Sequence, residues 1–100
     1  MVNVVTSLSI GDLEFNGSNM IVYSTDNENF TVKLTTEYID LITFSVYDVN
    51  GKIIVFNNIE KNNNSSFIYN LDMSYTAAGI YLIKMGNATV GYKTARIIVK

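Results

Sequence analysis

The stretch IYLIKMGNATVGYKTARIIVK, residues 80–100, decides the fold of this chain. Residues 80–85 are apolar on both faces of an extended chain, which is typical of a central strand. Gly86-Asn87 and Gly91 then bracket a turn region. In residues 93–100 the side chains alternate, so that two sets face opposite sides of the strand: Ala95, Ile97 and Val99 against Arg96, Ile98 and Lys100. The stretch therefore predicts two β-strands joined by a turn.

The same period of two runs through the residues upstream, and no window carries a helical apolar stripe. Strands are predicted at residues 20–25, 30–35, 42–47, 53–59 and 67–73. Polar residues at 26–29 indicate a turn, and those at 62–66 a loop typical of a hairpin tip. About seven strands at this spacing predict an all-β, immunoglobulin-like antiparallel β-sandwich.

Asn50-Gly51 lies between two of these runs and is a hairpin signal, because both residues tolerate positive φ. A two-residue type I′ turn would set Val46 opposite Val55 and Ile42 opposite Ile59. It would also set Phe44 opposite Asn57, a poorer match. A longer turn over residues 48–51 is the alternative.

One hundred residues suit a single domain, and 48% hydrophobic against 16% charged residues allow a buried core. We divide the chain into a lead-in segment or first strand at residues 1–19 and the immunoglobulin-like domain at residues 20–100. No apolar run is long enough to cross a membrane, so we expect no membrane insertion. Without a signal peptide pattern at its start, the chain is interpreted as a fragment of a longer exported protein.

The residue content argues against catalysis. Histidine and cysteine are absent, which removes the commonest general base and the thiol nucleophile. The serines lack a base, and the isolated glycines form no phosphate-binding loop. We therefore expect no enzyme and no cofactor. Asp26, Glu28 and Asp48 could hold calcium if the fold gathered them, but we interpret them as solvated loop acids and expect no metal site.

Charge is distributed unevenly along the chain. Residues 1–50 carry seven acids and one base, a net charge of −6, whereas residues 51–100 carry six bases and two acids, a net charge of +4. Pairing across the sandwich is one interpretation, and a basic surface that meets an acidic partner is the other. The bases are scattered singly, so nucleic acid is not expected as a partner.

Three stretches resemble the C-terminal sorting domains of proteins exported by the type IX secretion system of Bacteroidetes. FSVYDVNGKIIV (residues 44–55) is similar to the "v-Y-D-x-x-G-K" hairpin of that family, and AAGIYLIKM (77–85) to its "s-x-G-x-Y-x-x-x-i" strand. YKTARIIVK (92–100) resembles its lysine-bearing final strand. The resemblance covers about residues 7–100. The family's "Y-P-N-P" is replaced here by Tyr-Ser-Thr-Asp at residues 23–26.

The resemblance implies a non-catalytic export signal, fused to an N-terminal cargo and read by type IX secretion machinery proteins. It implies delivery through the periplasm to the cell surface or the medium. The residues that carry the family motif are Asp48, Gly51, Lys52, Gly79 and Tyr81. The basic side chains expected to be recognised are Lys93, Arg96 and Lys100. The alternative is a structural or adhesive immunoglobulin-like module of a Bacteroidetes cell-surface protein, with tyrosines that could bind glycans.

Overall fold

The computed structural model describes residues 17–63 and 65–100, and these form seven antiparallel strands in two sheets. The predicted all-β sandwich is therefore confirmed. The strands are β1 (Asn19–Ser24), β2 (Asn29–Thr35), β3 (Ile42–Tyr47), β4 (Ile53–Ile59), β5 (Ser66–Asp72), β6 (Gly79–Asn87) and β7 (Gly91–Val99). Most of the lead-in segment predicted at residues 1–19 lies outside the described residues. No helix that could cross a membrane occurs in the described parts of the chain.

The chain passes three times between the two sheets, after β2, after β4 and after β5. A three-stranded sheet has the order β1-β2-β5, and a four-stranded sheet has the order β4-β3-β6-β7. Each of the pairs β1–β2, β3–β4 and β6–β7 is adjacent in sequence and in space. Residues 62–66, predicted as a hairpin tip, instead join β4 to β5 in the opposite sheet. The prediction failed because a polar loop of this composition suits a crossing between sheets as well as a tight hairpin.

The core lies between the two sheets and is apolar throughout. Alternate residues of both sheets point inward and form one cluster of fourteen buried side chains. Its members are Phe30, Val32, Leu34, Ile42, Phe44, Val46, Phe67, Leu71, Met73, Tyr81, Ile83, Met85, Ile97 and Val99. Across the two sheets the rings of Phe44 and Tyr69 stack with centroids 3.8 Å apart. The core positions predicted at Tyr81, Ile83 and Ile97 are therefore confirmed.

Strand β6 lies in the middle of its sheet, as the sequence predicted. Only one of its faces is buried, however: Tyr81, Ile83 and Met85 point into the core. Ile80 and Leu82 point to the outer face, which we define as the face turned away from the other sheet, and both are exposed. No strand of the described residues packs on this second face, and an antiparallel sheet can expose one face to solvent.

The turn between β3 and β4 is longer than the two-residue alternative. Asp48 and Lys52 close it through an Asp48 N to Lys52 O hydrogen bond of 3.0 Å, and Gly51 N donates to Asp48 O at 3.0 Å. Gly51 has φ +84°, whereas Asn27 is the one non-glycine residue with positive φ in the described chain. Asn50 therefore has no positive φ, whereas a type I′ turn needs positive φ at both central residues, so the type I′ prediction is wrong. The arrangement is a type I turn followed by a glycine in the left-handed region.

This turn explains why the family motif contains these residue types. The Asp48 carboxylate accepts hydrogen bonds from the N–H groups of Asn50 and Lys52, both 2.9 Å long. The register predicted for Val46 with Val55 and for Ile42 with Ile59 is confirmed. A bulge between Val46 and Tyr47 reconciles that register with the longer turn, because β4 gains one residue there.

Gly79 and Tyr81 form the second part of the motif, at the start of β6. Gly79 has φ +153°, a conformation that side-chain-bearing residues rarely adopt. Two residues on, the buried Tyr81 ring packs in the core and its hydroxyl donates to the Ala77 carbonyl at 2.7 Å. This hydrogen bond satisfies the polar end of a buried ring and holds the chain just before β6 begins.

We predict that Gly51→Val lowers the free energy of unfolding by about 1 kcal/mol or more, because a β-branched residue resists positive φ. No atom lies within 4 Å of the position that a Cβ would occupy, so the loss would come from backbone strain alone. Gly51→Asn is the matched control and should lose less, since asparagine tolerates this region. Chemical denaturation measures both variants. Equal stability of the valine variant and the wild type would contradict the turn.

Ile83→Ala is predicted to cost about 2–5 kcal/mol of unfolding free energy, because it opens a cavity at a fully buried core position. Ile80→Ala, on the exposed face of the same strand, makes the same chemical change and should cost less than about 1 kcal/mol. Denaturant titration gives both values. Similar losses in the two variants would refute the assignment of faces in β6.

Candidate recognition surface

The basic residues predicted to be recognised lie on and just after β7, an edge strand of the four-stranded sheet. Arg96 is exposed on the outer face and pairs across the sheet with Leu82. Lys100 is exposed directly after the end of the strand. By strand alternation, Arg96 and Lys100 share one side of the chain. The structure thus places two of the three predicted cations together.

Lys93 does not share that side. It pairs with Met85, whose side chain is buried in the core, and paired residues in a sheet point to the same face. The half-buried Lys93 therefore belongs to the inward-facing set at the rim of the sandwich. A partner that approaches the outer face would meet Arg96 and Lys100 before it met Lys93.

Sequence reasoning missed a further cation on the outer face, Lys84. Its ammonium group lies over the Tyr92 ring, 4.3 Å from the centroid. Holding the Lys84 side chain in one position costs conformational entropy. The attraction between its ammonium group and the negative face of the ring offsets that cost. The signal was present in the sequence, because Lys84 has the same parity as Ile80 and Leu82 in a strand of period two. The outer face thus carries Lys84, Arg96 and Lys100.

Between and beside these cations the outer face is apolar. Leu82 neighbours Tyr47, which in turn neighbours Ile53, and Ile80 pairs with Ile98. Large apolar side chains remain exposed on three of the four strands, β4, β6 and β7: Phe56 by 60%, Ile98 by 54%, Ile53 by 50%, Ile80 by 46% and Leu82 by 39%. We call this set, with Tyr47, the apolar stripe. Contiguous exposed apolar surface of this kind marks interaction sites in soluble proteins.

The four strands that form this face contain no aspartate and no glutamate. Two acids adjoin the ends of these strands: Asp48, in the turn after β3, where two backbone N–H groups donate to its carboxylate, and the exposed Glu60, directly after β4. An open depression of about 440 Å³ lies beside that turn and is lined by Tyr47, Leu82 and Lys84 among others. The surface therefore combines apolar contact area with positive charge.

The end of β7 is fastened to the opposite sheet through Asn27 in the β1–β2 turn. The Asn27 side chain donates to the Ile98 carbonyl at 3.2 Å, and Lys100 N donates to the Asn27 carbonyl at 3.2 Å. Asn27 adopts φ +60° to make both contacts. These two bonds hold the last residues of the chain in place beside β1 and thereby fix where Arg96 and Lys100 project.

The β1–β2 turn itself is held by side chains, in the region where the family has its "Y-P-N-P". The Asp26 carboxylate accepts hydrogen bonds from Asn29 N at 2.8 Å and Glu28 N at 2.9 Å. Ser24 Oγ accepts from Asn27 N at 2.9 Å and donates to the Asn29 carbonyl at 2.6 Å. Polar side chains thus supply the rigidity that prolines would give to a turn.

The acids considered for calcium lie apart. Asp26 and Glu28 belong to the β1–β2 turn of the three-stranded sheet, and Asp48 to the β3–β4 turn of the other sheet. Within residues 17–63 and 65–100 no group of three acids, histidines or cysteines gathers in a way that could hold a metal ion. Of the exposed tyrosines, Tyr23 lies on β1 and Tyr75 in the loop after β5.

The comparisons with known proteins agree with this picture. A model of the family described as the secretion system C-terminal sorting domain matches residues 26–100. The match includes the β3–β4 hairpin, β6 and β7, and begins after the upstream residues 7–25 that also resembled the family. No curated protein matches the chain in sequence.

Two solved structures match this chain at low sequence identity. A β-glucosidase from Listeria innocua, solved in complex with glucose, is 11% identical with a TM-score of 0.50; the similarity covers 82% of this chain and 16% of the glucosidase. A hypothetical protein from Pyrococcus horikoshii is 9% identical with a TM-score of 0.47 and 91% coverage of both chains. At these identities the glucosidase likeness concerns the fold alone.

We predict that acid weakens this domain partly through Asp26. Hydrogen bonds from the backbone N–H groups of Asn29 and Glu28 hold the pKa of Asp26 well below its usual range. A carboxyl with a lowered folded-state pKa stabilises the fold above its unfolded pKa of about 3.9, and this contribution is lost as the pH falls further. The melting temperature should therefore drop below about pH 4.

Asp26→Asn keeps a side-chain oxygen as acceptor but cannot titrate, so it should flatten that acid limb. Hydrogen bonds from the Ser74 hydroxyl and N–H also lower the pKa of Asp72. Asp72 should therefore account for a further part of the loss of stability in acid, which Asp72→Asn measures. Thermal melts from pH 7 to 2 test both. Parallel acid limbs in Asp26→Asn and wild type would contradict the role of this turn.

Proposed function

Because the chain belongs to the family of secretion system C-terminal sorting domains, we propose that it is the folded export signal of a larger protein. It directs an N-terminal cargo from the periplasm through the type IX secretion machinery to the cell surface or the medium. The single observation that carries the proposal is the family match over residues 26–100, which includes the motif-bearing hairpin and the basic final strand.

The geometry suits a signal that is read by contact. Arg96 and Lys100 project from a strand that is fixed on one side by β6 and at its end by Asn27. A partner therefore meets these charges in a fixed position and loses little conformational freedom in ordering them. We propose that Arg96 and Lys100 contact the machinery from the outer face, and that Lys93 contributes at the rim.

The role of the positive charge follows from its exposure. Exposed charges act over about one Debye length, roughly 8 Å at physiological ionic strength, so they favour encounter with an acidic surface more than they hold the complex. The family is defined by sorting and not by a reaction, and we assign no catalytic step and no cofactor to the domain.

The test is to fuse residues 1–100 to a periplasm-directed reporter in a Bacteroidetes host with a working type IX system. We predict that the reporter reaches the cell surface or medium. Arg96→Gln with Lys100→Gln should lower export roughly two- to thirty-fold, as expected for two exposed charges worth about 0.2–1 kcal/mol each. Lys93→Gln should have the smaller effect, since Lys93 faces away from them.

The matched control is Lys33→Gln, which removes one charge from β2 in the other sheet, and it is compared with Arg96→Gln alone. Lys33→Gln should be exported like the wild type, and thermal melts should show all variants folded. Equal export of Arg96→Gln and Lys33→Gln, with no loss in the double variant, would overturn the role of the basic strand. An intact fusion that stays periplasmic would overturn the sorting function and favour the adhesive immunoglobulin-like module.

A further inference from the structure

The apolar stripe is not part of the core that stabilises the sandwich. Its six residues, Tyr47, Ile53, Phe56, Ile80, Leu82 and Ile98, point away from the fourteen-residue core, and five of them are exposed by 39% or more. Polar residues with strand propensity, such as threonine, would serve the sheet equally well at such positions. Exposed apolar surface also favours aggregation, so its presence indicates a use.

The position of the stripe connects it with the cations. Leu82 lies between Tyr47 on β3 and Arg96 on β7, and Ile98 follows Arg96 on the same face. Lys84 is two residues beyond Leu82, held over Tyr92. A single partner surface that covers the stripe would therefore also meet Lys84 and Arg96.

The charge of the face specifies the chemistry of that partner. The four strands carry Lys84, Lys93 and Arg96 and no acid, and Lys100 follows them, while the whole chain has a net charge of −2. A second copy that docked through the same face would bring its own cations against these and be repelled. The three cations on the outer face, Lys84, Arg96 and Lys100, are also fewer than the basic clusters of about four to eight that bind anionic membranes.

We propose that the outer face of the four-stranded sheet is a docking surface for a protein partner that presents apolar side chains ringed by carboxylates. The proposal rests on the proposed sorting function and names the part of the domain that a component of the secretion machinery covers. The apolar stripe supplies the contact area, and Lys84, Arg96 and Lys100 set the orientation.

The experiment compares two matched double variants in the reporter fusion. Leu82→Thr with Ile98→Thr removes apolar area from the stripe. Ile21→Thr with Tyr23→Thr removes comparably exposed side chains, 47% and 57%, from the outer face of the other sheet. Export should fall about tenfold or more in the first, because apolar anchors carry most of the binding free energy of an interface, and should be unchanged in the second. Thermal melts confirm that both fold.

Two substitutions of Lys84 test whether the partner is acidic. Lys84→Glu should lower export more than Lys84→Gln, because a carboxylate there would repel carboxylates of the partner. Equal losses would overturn the acidic character. If the intact fusion is exported and the stripe variant is exported equally well, the docking surface is refuted while the sorting function stands. If the intact fusion is not exported, the sorting function itself fails.

Other occupants give distinct results with the purified domain. Sedimentation with vesicles containing phosphatidylglycerol, abolished by Leu82→Thr with Ile98→Thr, would identify a membrane instead of a protein. A concentration-dependent dimer abolished by the same variant would identify a second copy. If deletion of residues 1–16 removes the effect of that variant on the melting temperature, this chain's own segment covers the face. Each of these results would overturn the proposal, which predicts no vesicle binding, no dimer and additive effects.

Discussion

The burial of one face of each sheet against the other is the interaction on which this domain depends. The chain has no cysteine, so no disulfide links the sheets, and the fold rests on one apolar cluster between them. The Phe44–Tyr69 stack bridges the two sheets, and Asn57 donates to the Tyr69 hydroxyl at 2.6 Å. The poor pairing expected of Phe44 with Asn57 is thereby explained, because the amide satisfies the polar end of a ring stacked on Phe44.

Within a single strand, the inward-facing residues therefore stabilise the core and the outward-facing residues form the surface. In β6, Tyr81, Ile83 and Met85 stabilise the sandwich, while Ile80, Leu82 and Lys84 face outward. In β7, Ile97 and Val99 belong to the core, and Arg96 and Ile98 to the surface. A recognition function can therefore change through the outward residues without loss of the fold, and damage to the core removes the recognition surface with it.

Much of the fold could be predicted because a period of two fixes both the strand and its faces. The faces of β6 and β7 and the core positions follow from that period. The register of β3 with β4 was predicted from a two-residue turn, and it is confirmed although the turn is longer because β4 carries a bulge. The turn type could not be predicted from that period, since Asn50-Gly51 suits several types of turn and the type formed depends on the Asp48 carboxylate. The sheet in which β5 lies is a long-range property that local sequence does not encode.

The recognition surface was only half predictable. Arg96 and Lys100 stood out as basic residues near the end of the chain, whereas the same period of two already set Lys93 on the other face. The outward position of Lys84 followed from the period of two, but its contact with the Tyr92 ring on the neighbouring strand did not. Exposure of Phe56, Ile80 and Leu82 was hidden too, because a strand that is apolar on both faces predicts burial on both.

The most direct test of the account is site-specific photo-crosslinking in cells that export the fusion protein. A photoreactive phenylalanine analogue replaces Phe56 on the outer face of the four-stranded sheet, or the similarly exposed Tyr23 on the opposite face, 60% and 57% exposed in turn. The account predicts crosslinks to identified type IX components from position 56 and few from position 23, all lost when the machinery is deleted. Equal crosslinking from both positions, or none from position 56 in a fusion that is still exported, would contradict it.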